Sequence, residues 1–573
     1  MSHATQVTPA EGGWSRLQGR QRWTALGGIM LGLLLFSLNQ TTVGTALPRI
    51  VTDLGGLEFY SWVATSYLLT STAVVPIVGK LSDTYGHKPF YLSGMVLFMV
   101  ASVLCGLSQT ALQLILFRGL QGVAGGILMT NTFALVGELF PPAERGKWQG
   151  LTSSVFGLSS LVGPALGGWL TDGPGWRWVF FVNLPVGIVG TVVLLRGLPH
   201  IRPQETKPID WFGATTIVGS VVPLLLAFSW AGTEYAWSSP QITGLLIVAA
   251  VLTALFLFAE RRASDPIIPL MLFRSRTFAV STVTMFLVSG GMFGAIIYIP
   301  LFVQAVIGTT ATASGVVLTP MMLSLVIASI VSGQIISRSG RYRWAVLGGL
   351  SLMLAGMWLL SRMGTATSSG EAVRNMVILG TGIGLTMPTL TLAVQNAFPS
   401  GQLGVVTAGV QFFRSIGATI GVALMGTFLT RQLAAGLKRD LPPDLRAAIP
   451  AELLAQINPQ ALASPETQAT LQAGFSTLAD GLALYDRLML AMRSSLAGAM
   501  QEVFFIATIL AAIALGVGAL LPEVPLRKRH SDEPAEQVGK QLATHGTGST
   551  ALTTERHEPR LVREPRSGQA GGQ

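Results

Sequence analysis

The sequence predicts an all-α membrane protein built from fourteen transmembrane helices. Three observations carry this. Only 11% of the 573 residues are Asp, Glu, Lys or Arg, against about 25% in a soluble domain. Half are hydrophobic, and the mean hydropathy is +0.56. The hydrophobic residues also fall into separate runs long enough to cross a bilayer core, which takes about 20 residues of helix. Such a chain cannot cover itself with a water-soluble surface. That excludes an ordinary cytosolic enzyme, a secreted disulfide scaffold and a disordered protein.

The spans are expected at 25–47, 60–79, 90–107, 112–136, 147–171, 178–197, 211–231, 241–260, 278–303, 313–336, 344–361, 375–397, 404–430 and 501–521. The first is too long for a cleaved signal, and no small-residue cleavage site follows it. An even number of spans puts both termini on one side. Short loops on that side hold twenty Lys and Arg residues, whereas the other side holds Arg49, Arg177, Arg362 and Arg374. The positive-inside rule then places both termini in the cytoplasm of a multi-pass cell-membrane protein. This asymmetry also accounts for the net charge of +10, so membrane lipid, and not nucleic acid, is the expected partner.

Two stretches fall outside the spans. Residues 431–500 hold Pro442, Pro443, Pro450, Pro459 and Pro465 between amphipathic runs such as 451–457 and 478–492. Short helices over the outer mouth, or an inert insertion, are expected there. The tail, 523–573, is rich in Gly, Ser, Thr, Gln and charge and is expected to be disordered.

Several chemistries are missing from the sequence. No phosphate loop is present, because Gly79-Lys80 lacks the preceding glycine. The single cysteine, Cys105, reads as a small buried hydrophobe. None of the six histidines lies within an expected span, and no Cys/His cluster suits a metal. Neither an enzyme nor a cofactor site is expected.

Between spans 2 and 3 the chain reads Gly79-Lys80-Leu81-Ser82-Asp83-Thr84-Tyr85-Gly86-His87-Lys88. Glycines there permit a tight turn, and Asp83 suits capping of a helix N-terminus or pairing with a cation. The stretch resembles the G-x-L-x-D-R-x-G-R-[RK] loop of the major facilitator superfamily, from which it departs at Thr84, usually Arg, and at His87. The resemblance implies a conformational latch of Gly79, Asp83, Gly86 and Lys88.

In span 4, Arg118, Gln121, Gly122 and Gly125 share one helical face at i, i+3, i+4 and i+7. A membrane-buried arginine must face protein or water; snorkelling to the interface is the alternative. This resembles the family's R-x-x-Q-G motif. Span 5 carries Gly157, Gly163, Pro164, Gly167 and Gly168 in a G-L-S-S-L-V-G-P-A-L-G-G run. Pro164 removes a helical hydrogen bond and predicts a kink, and Gly163 and Gly167 form a close-packing face. The run looks like the antiporter signature of this superfamily, a hinge for alternating access.

The stretches Leu38–Pro48, Trp176–Gly187 and Pro266–Phe273, with the fourteen spans, resemble the EmrB/QacA-type drug:proton antiporters over about residues 20–522. The resemblance implies a major facilitator fold of two six-helix bundles with two inserted helices. The expected parts are a cytoplasmic segment 1–24, an N-terminal bundle 25–200, the inserted pair 201–275 and a C-terminal bundle 276–522. A weak repeat supports the pairing, since Gly333–Arg341 follows span 10 as the Gly79 loop follows span 2. The implied function is export of amphipathic drugs or related small molecules by alternating access, in exchange for protons.

One departure matters. The subfamily's first span usually reads L-D-x-T-x-V, with the Asp thought to carry the proton, and here that position is Asn39. No carboxylate near a span centre replaces it; Glu138, Asp210 and Asp265 lie at boundaries. Asn39 and Arg118 stand ~12 Å and ~9 Å from the outer ends of their spans at about 1.5 Å per residue, depths at which they could meet. Coupling through another group or ion, a transporter coupled differently or not at all, and an Asp→Asn variant all remain open.

Span 13 adds Gln411 and Arg414 near mid-membrane, with Gly417 and Gly421 continuing that face. Two buried arginines would suit anionic, zwitterionic or neutral amphipaths better than cations. Gln40, Asn131 and Gln304 complete the expected polar pathway, and Met285, Phe286, Met292 and Phe293 offer an adaptable apolar wall or ordinary packing. The alternatives are a lipid or metabolite exporter without the usual proton step, and a non-transporting membrane sensor or scaffold.

Overall fold

The computed structural model describes residues 19–54, 60–198, 209–232, 234–308, 311–440, 465–476 and 481–526. The N-terminal helices are α1 (Arg20–Leu54), α2 (Tyr60–Tyr85), α3 (His87–Leu107), α4 (Ala111–Leu139), α5 (Pro142–Asp172), α6 (Trp178–Phe181) and α7 (Asn183–Gly197). An inserted hairpin follows, α8 (Trp211–Trp230) and α9 (Pro240–Arg262). The second set is α10 (Arg276–Ala305), α11 (Ala311–Ser339), α12 (Arg343–Ser361), α13 (Ser369–Ala397), α14 (Leu403–Asp440), the short α15 (Pro465–Phe475) and α16 (Gly481–Gly518).

Thirteen of the described helical stretches are long and apolar enough to span a membrane. The fourteenth span is α5, whose 31 residues include Glu144, Arg145, Lys147 and a run of Gly and Ser. Its polarity fits a helix buried between neighbours better than one facing lipid. Span 6 is interrupted between α6 and α7. Pro185 has no N–H to give the carbonyl of Phe181 four residues back, so the ladder breaks there.

The outer segment differs from expectation. The run 478–492 was expected as a separate helix over the mouth, but its described part, from Gly481 on, is the first third of α16. Helix α14 likewise runs on to Asp440. Continuing either helix satisfies every backbone group within it, which a break near the membrane would not. The residues 441–464, and with them the expected helix at 451–457, lie outside the described residues. The tail is ordered at its start, also against expectation. The Tyr342 hydroxyl donates to Pro522 O at 2.9 Å and accepts from Val524 N at 3.0 Å, and Asn396 Nδ2 donates to Pro525 O at 3.2 Å. From 527 on the tail is outside the described residues.

Two apolar cores result. One is built by α1, α3 and α4 with Leu194 of α7, and the other by α10 to α14 and α16. The hairpin joins them through α2 and α14, with Ile217, Val221 and Leu225 packing among Leu69, Phe412 and Ile416. Its exit strand is tied down twice. Glu260 Oε1 accepts from the backbone of Ile267 and Ile268 at 3.0 and 3.2 Å, and Lys80 pairs with Asp265 at 2.6 Å.

The two sets of helices touch along two related seams, α2 against α14 and α5 against α11. Glycines allow both. A Cβ on Gly79 would strike Ala408 and the carbonyl of Gly404, and a Cβ on Gly333 would strike the backbone of Gly146. The repeat read in the sequence reappears in the turns, where Gly86 and Gly340 follow α2 and α11 with φ of 96° and 70°, a region open to glycine. Both seams lie toward one end of the bundle, termed here the basic face. Toward the opposite face α5 leaves α11. Gly157 still meets Val326, but Gly163 and Gly167 pack against Thr41, Thr42 and Thr45 of α1, and Leu158, Leu161 and Val162 are exposed.

Candidate functional site

The arginine of span 4 is buried within the N-terminal bundle and is not turned to the interface. Arg118 Nη1 donates to Asn39 Oδ1 at 2.9 Å and to Gln121 Oε1 at 2.7 Å, and Nε donates to Val63 O at 3.2 Å. Its guanidinium carbon stands 4.3 Å from the ring centre of Tyr67, a cation–π contact. Gln121 is held in turn by Ser102 Oγ at 2.7 Å. The helical spacing that put Arg118 and Gln121 on one face explains this side of the cluster, and equal depth on α1 and α4 explains Asn39. Every partner is a neutral dipole, and Asn39 Nδ2 is buried with no acceptor.

The residues expected as a latch make contacts across the bundles, with a different membership. Asp83 reaches across the α2–α14 seam, where its Oδ1 and Oδ2 accept from Gly404 N and Val405 N, both at 2.8 Å. A carboxylate on the first turn of a helix satisfies two orphan donors and meets the positive end of the dipole. Gly79 provides the close approach and Gly86 the turn, whereas Lys88 points away and donates to the carbonyls of Leu195 and Leu198 at the end of α7. Its place beside Asp83 is taken by His87, one helical turn on. His87 Nε2 lies 3.3 Å from Asp83 Oδ1 and 3.3 Å from Glu138 Oε1.

Asn131 joins this cluster. Its Nδ2 donates to Ile127 O at 3.0 Å, so its Oδ1 accepts from His87 Nδ1 at 2.8 Å. With Nδ1 carrying a proton, Nε2 can donate to the carboxylates only if the ring carries a second one. A doubly protonated ring would place one cation between Asp83 and Glu138.

A second closure was not foreseen. Arg145 Nη1 donates to Gln395 O at 2.9 Å and Gln149 Nε2 to Gln395 Oε1 at 2.9 Å, while Gln395 Nε2 reaches Phe133 O at 3.0 Å and Thr407 Oγ1 at 3.1 Å. This buried knot joins α4, α5, α13 and α14 near the basic face. Scattered Gln and Thr residues carry no spacing signal, so nothing in the sequence marked it.

The remaining pathway residues lie on three helices. Gln40 is exposed on α1 and Gln304 is half-buried on α10. Gln411 is buried on α14, and Arg414 reaches over to α4, where Nη2 meets Met129 Sδ at 3.5 Å. Gly417 and Gly421 turn instead to the backbone of Phe286 and Gly290 on α10. Met285 and Met292 are buried in the second core. In the span-5 motif, Gly163 and Gly167 make the expected close contacts with α1, Pro164 is exposed inside the helix, and Gly168 has open space around it. Ser37 and Ser159 share a 2.7 Å hydrogen bond at the same crossing. No group of three or more metal-ligating side chains occurs among the described residues.

Residues 29–422 match the family model described as Major Facilitator Superfamily. The chain belongs to this superfamily. It is a multi-pass membrane transporter and not an enzyme. It is 44% identical over 416 residues to the multidrug transporter protein MdtP of Bacillus subtilis, covering 72% of this chain and 76% of that one. With multidrug resistance protein 3 of the same organism the identity is 40% over 70% of this chain and 78% of the relative. The fold is also that of the proton:xylose symporter XylE bound to 6-bromo-6-deoxy-D-glucose, with a TM-score of 0.56 at 12% identity over 90% of this chain and 98% of that one. The human organic anion transporter MFSD10 superposes with a TM-score of 0.56 at 14% identity, covering 86% of this chain and all of the other.

Proposed function

We propose that this chain exports amphipathic drugs and related small molecules from the cytoplasm by alternating access, in exchange for protons. Closure at the basic face carries the reading. Asp83 holds the start of α14, Arg145 and Gln149 hold Gln395, and α5 and α11 diverge toward the opposite face. With the basic face in the cytoplasm, as loop charge favours, this is the outward-facing state. The similarity to MdtP and multidrug resistance protein 3 supports drugs as substrates.

The proton step does not use position 39, because an amide does not titrate. Our reading assigns it to His87 with Asp83 and Glu138, the titratable groups facing one another across α2, α3 and α4. Proton loss from the imidazole removes the tie between two carboxylates, one of which holds the bundles together. Substrate and proton then act on one two-state element, as coupling requires.

The test uses purified protein in liposomes holding a pH dye, with an imposed gradient of ethidium. Wild type is expected to move protons against ethidium, and Glu138→Gln to move ethidium with the proton signal lost. Ethidium transport by wild type without proton movement would establish the uncoupled exporter in its place. No ethidium movement, together with none of other amphipathic dyes, would favour a sensor or scaffold.

A further inference from the structure

Two arginines set deep in the helices, the buried Arg118 and the half-buried Arg414, are in different chemical states. Arg118 is surrounded by Asn39, Gln121, Val63 O and the Tyr67 ring. Arg414 has no such set. Among the described residues its polar contact is with the thioether of Met129 at 3.5 Å, a weak acceptor, and its buried Nε has no partner. Among the described residues, no carboxylate lies within ion-pair distance of it.

Depth makes this costly. Arg414 is eleven residues into α14 from the basic face, and Met129 is ten residues from the same end of α4, so both stand ~15 Å inside at about 1.5 Å per residue. The side chain bridges from one bundle to the other, which excludes snorkelling to an interface. A cation at this depth needs a counter-charge or a full set of acceptors. Gln411, one turn earlier on α14, is also buried, and Met129 is a flexible apolar neighbour suited to varied ligand bodies.

We propose that Arg414 is the recognition site for the anionic group of those transported molecules that carry one, so that this exporter also takes amphipaths bearing a carboxylate, sulfonate or phosphate. The anion supplies the counter-charge that the fold withholds, and its apolar body lies against Met129 at the junction of α4 and α14. Binding at a residue that spans both bundles lets the ligand bias which state is populated. The inference rests on the transport reading above for the word substrate, but the binding site itself does not.

Equilibrium binding to the purified full chain in lipid nanodiscs tests it, with radiolabelled taurocholate as a permanent anion and tetraphenylphosphonium as the matching cation. Wild type is expected to bind taurocholate. Arg414→Gln is expected to weaken it by at least about 10-fold, as loss of one partner of a buried charge pair does, while the cation binds as well as before or better. Arg414→Lys, which keeps the charge, should retain most of the taurocholate affinity. Taurocholate binding within twofold of wild type in Arg414→Gln, absence of taurocholate binding by wild type, or an equal loss of both probes in Arg414→Gln would overturn the proposal. Proteoliposome transport of the same probes separates the two readings. Arg414-dependent taurocholate binding with no transport of either probe removes the exporter and keeps the anion site. Tetraphenylphosphonium export with taurocholate binding indifferent to Arg414 does the reverse.

Discussion

Arg118 of α4 donates to the side-chain oxygen of Asn39 on α1 at 2.9 Å, and the amide nitrogen of Asn39 is left buried with no acceptor. The site offers a donor to the side-chain oxygen of residue 39 and no acceptor to its amide nitrogen. An orphaned buried donor costs about 1–3 kcal/mol, so the arrangement carries a small, local debt in stability.

Asn39→Asp removes that orphan donor and completes an ion pair with Arg118. The variant is expected to melt higher at neutral pH than wild type. It also introduces a proton site beside the cluster, so ethidium-driven pH changes in liposomes should grow. An unchanged melting temperature and an unchanged proton signal would mean that Arg118 does not respond to the residue at 39.

Asp83→Ala strips two backbone donors of α14 of their shared acceptor, at a cost of about 1–2 kcal/mol by analogy with helix caps. That weakens the closed basic face by roughly 5- to 30-fold in population. A cysteine introduced by Ser82→Cys, at a position fully buried in the closed state, reports on it. Maleimide labelling of that cysteine should rise in Asp83→Ala, and the native Cys105 is buried and should stay silent.

Gly333→Ala places a methyl group against the backbone of Gly146, whereas Gly348→Ala meets nothing within 4 Å. The first is expected to hold α5 and α11 apart and to cut transport several-fold, the second to leave it unchanged. Equal activity of the two variants would show that the α5–α11 seam does not close during transport.

His87→Arg puts a permanent cation where an imidazole titrates, since guanidinium stays charged at working pH. Transport by wild type should vary with cytoplasmic pH, and the variant should flatten that profile. A profile that keeps its shape in His87→Arg would place the pH-sensing group elsewhere.

Much of this molecule follows from the order of its residues. The spans, their number and the glycine-marked turns are local patterns of hydropathy and spacing, and a bilayer leaves few alternatives to a helix for each apolar run. The meeting of Asn39 and Arg118 was legible because depth in a membrane is set by distance along a helix. The antiporter-type motif of span 5 was legible for a similar reason, because Gly163 and Gly167, four apart, must share a face.

Partner choice was not legible in this way. Lys88 sits beside the latch in sequence but reaches α7, and His87, read only as a departure, links Asp83 to Glu138. The Gln395 knot joins residues up to 262 positions apart, and Arg414 meets Met129 across 285. Such pairings depend on how helices rotate and close against one another, a property of the packed pair and not of either helix. The sequence alone determined that this chain crosses a membrane fourteen times with titratable and cationic groups on particular helices. Tertiary packing alone decided which of those charges find partners among the described residues, because a charge set deep in the bundle is stabilised by whatever the neighbouring helix presents at its depth.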